Sequence, residues 1–177
     1  MTPPQEALAL RASEARTAPT RADRLIIAPE AIFDRDQVWA DLSRTITRGD
    51  AAKDVRGATV ATLKAALDNG RKAIATAFID HPRASRGTVA GYAYLTDCVV
   101  STVFRLVTEH LHPKPNPTEG ERIALLAVGG YGRAEMAPHS DVDLLFLTPY
   151  KITAWAESVI ESMLYILWDL HLKVGHA

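Results

Sequence analysis

The chain has 177 residues, enough for a domain with a substantial core, and its 47% apolar content is typical of a globular protein. Its net charge of −1 gives no long-range attraction for nucleic acid or an anionic membrane, and we expect neither as a partner. The single cysteine, Cys98, excludes an intrachain disulfide and a cysteine-cluster metal site. No apolar run reaches membrane-spanning length or forms a signal-peptide core, so the composition predicts a cytoplasmic protein.

The first part of the sequence predicts a flexible arm followed by helices. Residues 1–22 are rich in Ala, Arg, Thr and Pro and lack an apolar period, which is typical of an arm. The region 23–111 is predicted to be mainly helical. It begins with an apolar segment at 24–33, extended up to Pro29, and continues with a short helix within 34–48.

Two long helices are predicted next. Between 51 and 79, one helical face carries apolar residues, namely Val60, Leu63, Leu67, Ile74 and Phe78. Gly70 should weaken this helix, and His81 with Pro82 should end it. The second helix, at 87–111, is apolar on nearly all sides, which favours burial between other elements.

A linker and a small sheet complete the predicted order. Residues 112–121 contain three prolines and are interpreted as a linker. The region 122–177 then supplies strands at 123–128 and 142–147, joined by the loop GGYGRAEMAPHS. Thr153 is a plausible N-cap for a helix at 153–170, and the final LKVGHA resembles a turn into another strand. These elements predict an α+β fold with a small mixed sheet that is packed by helices and looks cut short.

Two carboxylates stand at the start of the second strand. Because side chains alternate across a strand, Asp141 and Asp143 should point the same way, with Cα atoms about 6.6 Å apart. Carboxylate oxygens suit Mg²⁺, which usually keeps ligand positions for water and substrate phosphate. The alternative is that the pair decorates a solvated strand end.

The glycine-rich loop predicts a phosphate site beside these carboxylates. Gly129 and Gly130 lack Cβ atoms, so their N–H groups can approach phosphate oxygens. Arg133 supplies a planar cation suited to phosphate, with a structural salt bridge as the alternative. Ser140 is assigned to the same phosphate-binding set. Two further loop residues keep two interpretations each. Tyr131 either has a role in the site or only packs on the loop, and His139 either contacts phosphate or only forms the turn.

These motifs resemble a known superfamily. A Gly-Gly pair followed about ten residues later by Asp-x-Asp is the signature of DNA-polymerase-β-like nucleotidyltransferases. The longer strings GGYGRAEMAPHSDVDLLFL and WAESVIESMLYILWDLHLKVGH resemble the N-terminal region of bifunctional uridylyltransferase/uridylyl-removing enzymes. The resemblance covers residues 87–177 well and the earlier residues loosely.

The resemblance implies an activity and partners. Such an enzyme transfers UMP from UTP to a tyrosine hydroxyl of the PII nitrogen-regulatory protein and releases pyrophosphate. The resemblance implies that Gly129 and Gly130 bind phosphate. It also implies that Asp141 and Asp143 are catalytic and bind Mg²⁺. It also implies an HD-type hydrolase domain and glutamine-sensing ACT domains downstream.

The sequence departs from the pattern in two ways. Ala134 stands where the family usually has glycine, so a positive φ there would be costly. The superfamily's third carboxylate, on a later strand, has no counterpart here. We therefore expect an N-terminal fragment that is inactive by itself.

Two rival functions remain open at this point. One is the related glutamine-synthetase adenylyltransferase, or another protein-modifying nucleotidyltransferase. The other is a noncatalytic module that binds nucleotide.

Overall fold

The computed structural model describes residues 24–47, 52–114 and 121–177. The arm predicted at 1–22 and most of the predicted linker at 112–121 lie outside the described residues. The helices are α1 Pro29–Ile32, α2 Arg35–Thr47, α3 Ala52–Asp80, α4 Ser85–Leu106, α5 Gly129–Gly132 and α6 Ala154–Asp169. The strands are β1 Ala124–Ala127, β2 Val142–Leu147 and β3 Val174–His176.

The segment before Pro29 differs from its prediction. Residues 25–27 form bends rather than an extended segment, and α1 begins at Pro29. The reason is a contact with α4: the Ile26 N–H donates to the Gly87 carbonyl at 3.2 Å. Arg24 and Ile26 therefore lie across the first turn of that helix, where the missing Cβ of Gly87 leaves room.

Helix α3 confirms the long predicted helix, with two differences. Leu63, Leu67 and Ile74 are buried as predicted, but Phe78 is 38% exposed. Phe78 lies near the end of α3, where it borders an open groove with Met136 instead of a packed helix. Gly70 does not interrupt α3.

Gly70 has a packing role in α3. A Cβ at this position would lie 2.5 Å from the Ile32 carbonyl oxygen and 2.7 Å from Leu95 Cδ1. The absence of a side chain therefore lets α3 contact both the end of α1 and the middle of α4. The glycine that weakens the isolated helix permits its packing in the fold.

The helix predicted at 87–111 consists of two parts. The α-helix α4 ends at Leu106 and is followed by a π-helical turn, Val107–Leu111. In this turn the His112 N–H donates to the Val107 carbonyl at 2.8 Å, five residues earlier. As predicted, α4 is buried on most sides.

The sheet has the order β1-β2-β3. Strands β1 and β2 are antiparallel, with Ala124 opposite Leu147, which confirms that the two predicted strands are neighbours. Strands β2 and β3 are parallel, with Val142 opposite Val174. The final residues thus supply a third strand, and the sheet is mixed, as predicted.

Helix α6 connects β2 to β3. The Thr153 hydroxyl caps it by accepting a hydrogen bond from the Ala156 N–H at 3.2 Å. On β2, Val142 and Leu144 are buried and join the same apolar cluster as Met163 of α6. That cluster also contains residues of the earlier helices, so the architecture is α+β with the helices and the sheet sharing a core.

No helix within the described ranges is both long enough and apolar enough to cross a membrane.

Candidate functional site

The site is built around Asp143 on the central strand. Its carbonyl oxygen accepts a hydrogen bond from the Val128 N–H at 3.0 Å, at the end of β1. On the other side, Asp143 is in register with Gly175 of β3. Neighbouring strands therefore hold its backbone from both sides, while its side chain is half-buried.

Two glycines make room for the Asp143 carboxylate. A Cβ at Gly129 would lie 2.5 Å from Asp143 Oδ2, and a Cβ at Gly175 would lie 2.7 Å from Asp143 Oδ1. Real Cβ atoms do not approach other atoms this closely, so either side chain would push the carboxylate away. Gly129 also has φ +61, a conformation that favours glycine.

Gly175 is the residue of this site that the sequence reasoning missed. Its signal was available, since a glycine inside a strand often marks the close approach of another group. The sequence could not identify that group, because Asp143 lies on the other side of helix α6 in the chain.

Asp141 and Asp143 have different surroundings. Asp141 immediately precedes β2 and is exposed, whereas Asp143 belongs to the strand and is half-buried. Only Asp143 lies against the two glycines. The structure thus provides one carboxylate packed between two glycines and a second, exposed carboxylate immediately before the strand.

The predicted glycine loop begins as a helical turn, α5. Gly132 allows this turn to lie on the end of β1, because a Cβ there would be 2.5 Å from the Ala127 carbonyl oxygen. The Gly130 carbonyl accepts a hydrogen bond from the Glu135 N–H at 2.9 Å. Tyr131 is 3% exposed and belongs to the apolar core, which agrees with the packing alternative for this aromatic.

Arg133 forms an ion pair within the loop. Its Nε lies 2.9 Å from Glu135 Oε2, and both side chains are largely exposed. Exposed pairs of this kind contribute about 0–1 kcal/mol to stability, so a stronger anionic ligand can replace the carboxylate. The structure thus shows the salt-bridge alternative for Arg133 and leaves phosphate binding as a proposal.

Ser140 and His139 lie in the turn before Asp141. The Ser140 Oγ accepts a hydrogen bond from the Ala137 N–H at 2.8 Å, and its own N–H donates to the Ala137 carbonyl at 3.1 Å. These bonds fix the turn that leads into β2. His139 is exposed in the same turn.

Ala134 has a positive φ of 59°. Ala134 stands where the family usually has glycine, and alanine in this left-handed conformation carries an energetic cost that glycine avoids. The loop nevertheless keeps its hydrogen bonds, since the Ala134 N–H donates to the Tyr131 carbonyl at 2.9 Å.

The site offers oxygen ligands for a hard cation but does not surround one. Within the described ranges, no cluster of three or more His, Cys, Asp or Glu residues is placed to hold a metal ion. The carboxylates of Asp143 and Asp141 are the oxygen donors that the site offers to Mg²⁺, an ion that takes its remaining ligands from water and phosphate.

Curated proteins give a consistent set of relatives. The chain is 58% identical over 146 residues to the bifunctional uridylyltransferase/uridylyl-removing enzyme of Ruegeria pomeroyi, covering 82% of this chain and 16% of that protein. It is 60% identical over 158 residues to that of Cereibacter sphaeroides (86% and 17%) and 44% identical over 152 residues to that of Rhodospirillum rubrum (84% and 16%).

No protein-family profile and no solved structure matches the chain. The chain spans about a sixth of the length of its curated relatives. Identity of 44–60% over most of the chain nevertheless confirms the resemblance inferred from the strings GGYGRAEMAPHSDVDLLFL and WAESVIESMLYILWDLHLKVGH. This chain is therefore related to the bifunctional uridylyltransferase/uridylyl-removing enzymes and matches one segment of them.

Proposed function

We propose that this chain contributes the nucleotide-binding part of a uridylyltransferase with the polymerase-β-like nucleotidyltransferase fold, whose acceptor is a tyrosine of the PII signal protein. One observation carries the proposal: the Asp143 carboxylate is held on a rigid central strand between Gly129 and Gly175. The names of the relatives support uridylyl rather than adenylyl transfer.

In the proposed reaction, the tyrosine oxygen attacks the α-phosphorus of UTP. A new O–P bond forms, the bond to the β-phosphate oxygen breaks, and pyrophosphate leaves. The phenolic proton passes to a general base, a role that the superfamily resemblance gives to a third carboxylate.

The residues of this chain would bind and orient the nucleotide. Asp143 and Asp141 would hold Mg²⁺, which when bound neutralises phosphate charge. Gly129 and Gly130, in the first turn of α5, would direct N–H groups at phosphate oxygens, since first-turn N–H groups have no partner within a helix. Fixed donors of this kind stabilise charge without reorganising during the reaction.

The proposal is tested by Asp143→Asn in the full-length protein, meaning the complete uridylyltransferase to which we propose this chain contributes. This change removes the charge but keeps the size of the side chain, so we expect uridylylation to fall by about two orders of magnitude or more. The matched control is Asp68→Asn, which alters an exposed carboxylate on α3. Label transfer from UTP to PII gives the rate, and a thermal melt checks the fold. Full activity in Asp143→Asn would contradict the assignment.

The nucleotide is tested separately. With Mg²⁺ present, UTP should raise the melting temperature more than ATP does, because ligands that bind the folded state stabilise it. Equal protection by ATP would favour the adenylyltransferase alternative.

A further inference from the structure

A groove lined by three arginines borders the glycine loop at residues 132–135. It has a volume of about 1020 Å³, and its lining includes Arg24, Arg86 and Arg133, together with Glu135. Asp143 is not among the lining residues. The groove thus shares the glycine loop with the candidate site, but the Asp143 carboxylate is not part of its wall.

The fold brings these arginines together from separate elements. Arg24 precedes α1, Arg86 lies in the first turn of α4, and Arg133 follows α5. The hydrogen bond from the Ile26 N–H to the Gly87 carbonyl, 3.2 Å long, attaches the segment of Arg24 to the segment of Arg86. Arg24 and Arg86 therefore line the same groove, because this backbone contact holds their two segments together.

The charge of the groove is not compensated locally. Its only carboxylate within the described residues is Glu135, which pairs with Arg133. The side chains of Arg24 and Arg86 form no hydrogen bond or ion pair with another residue in the part of the chain that the structure describes. In a chain with a net charge of −1, this is a local excess of positive charge, and a concave wall concentrates its field.

We propose that Arg24, Arg86 and Arg133 form a binding site for the phosphate groups of a small-molecule anion. Guanidinium forks bind phosphate oxygens in pairs, and the volume of the groove suits a ligand of nucleotide or pyrophosphate size. Glu135 holds Arg133 in the absence of ligand and releases it to a phosphate, since the pair is exposed and weak. The site requires neither Mg²⁺ nor Asp143.

The test measures binding of pyrophosphate and of UTP to the full-length protein by calorimetry, in EDTA. The variant Arg24→Gln/Arg86→Gln should bind at least about tenfold more weakly, because each arginine supplies charge-assisted hydrogen bonds. The control, Lys64→Gln/Lys72→Gln, removes the same charge from exposed positions on α3 and should bind as the wild type does.

The two probes distinguish the source of the phosphate. Weakening for both identifies a site for free phosphate anions, and weakening for UTP alone identifies a nucleotide site. The proposal is overturned if the wild type binds neither probe, if the arginine variant binds as the wild type does, or if the lysine control weakens equally. Since no Mg²⁺ or transfer is involved, that failure would leave the proposed uridylyl transfer untouched.

Discussion

At the scale of single residues, the candidate site depends on two glycines, whose lack of a side chain makes room for Asp143. Gly129 and Gly175 each leave the space that one oxygen of Asp143 occupies. The sequence motif identified Gly129 and Asp143 because they belong to one short pattern. It could not identify Gly175, because the contact exists only once β3 pairs with β2.

We expect Gly175→Ala to impair transfer while leaving the fold intact. The new Cβ would meet Asp143 Oδ1 at 2.7 Å, which is the end of a side chain that can rotate away. Uridylylation by the full-length protein should then fall at least about tenfold, since a misplacement of about 1 Å can cost more than this. The variant Gly175→Ala/Asp143→Asn should be no slower than Asp143→Asn alone, because both changes act on the same carboxylate. Additive losses would contradict this view.

At Ala134 we expect the removal of a side chain, rather than its addition, to change the protein. With φ at 59°, Ala134→Gly should relieve strain and stabilise the protein by about 1 kcal/mol, although glycine also adds freedom to the unfolded chain. Ala137, in the same loop, has no positive φ, so Ala137→Gly serves as the control and should not stabilise. Urea unfolding compares the two variants. A gain for both, or for neither, would show that the strain at Ala134 is not significant.

At the scale of elements, the periodicity of apolar residues predicted α2, α3, α6 and β2 well, because these elements bury one face. It predicted neither the π-helical turn Val107–Leu111 nor the helical turn Gly129–Gly132. A π turn does not change the apolar pattern enough to be read from sequence. Adjacent glycines disfavour helix, and here α5 forms because Gly132 packs on the end of β1.

Helix α3 offers a matched pair of glycines. Gly57 has no atom within 4 Å of a built Cβ, so Gly57→Ala should stabilise by up to about 1 kcal/mol through helix propensity. Gly70→Ala gains the same propensity but places its Cβ 2.5 Å from the Ile32 carbonyl oxygen, which is backbone and cannot rotate away. Overpacking of this kind costs about 1–3 kcal/mol, so the net effect should be destabilising. Thermal melts that show equal shifts for both variants would mean that α1 and α3 are not in close contact.

At the scale of the whole molecule, the helices and the sheet share one apolar core. The sequence sufficed to identify the related enzymes, because the resemblance extends beyond the Gly-Gly and Asp-x-Asp motifs into the segment of α6. It did not predict how the helices of 23–111 pack against the sheet of 122–177, since that depends on shape. In the structure, Val99 of α4, Leu144 of β2 and Met163 of α6 belong to one cluster.

That shared core predicts that the two regions unfold together. Leu144 is 2% exposed, and Leu144→Ala should cost about 2–5 kcal/mol through lost burial and a residual cavity. Native-state hydrogen exchange gives the free energy of opening at each amide. If the helices and the sheet form one cooperative unit, Leu144→Ala should lower the free energy of opening by the same amount for the most protected amides of α3 and of α6. The control Leu126→Ala, on the exposed side of β1, should lower protection in both helices only slightly, because this leucine is already 39% exposed. A loss confined to 122–177 would instead show two regions that unfold independently, with their contact contributing little to stability.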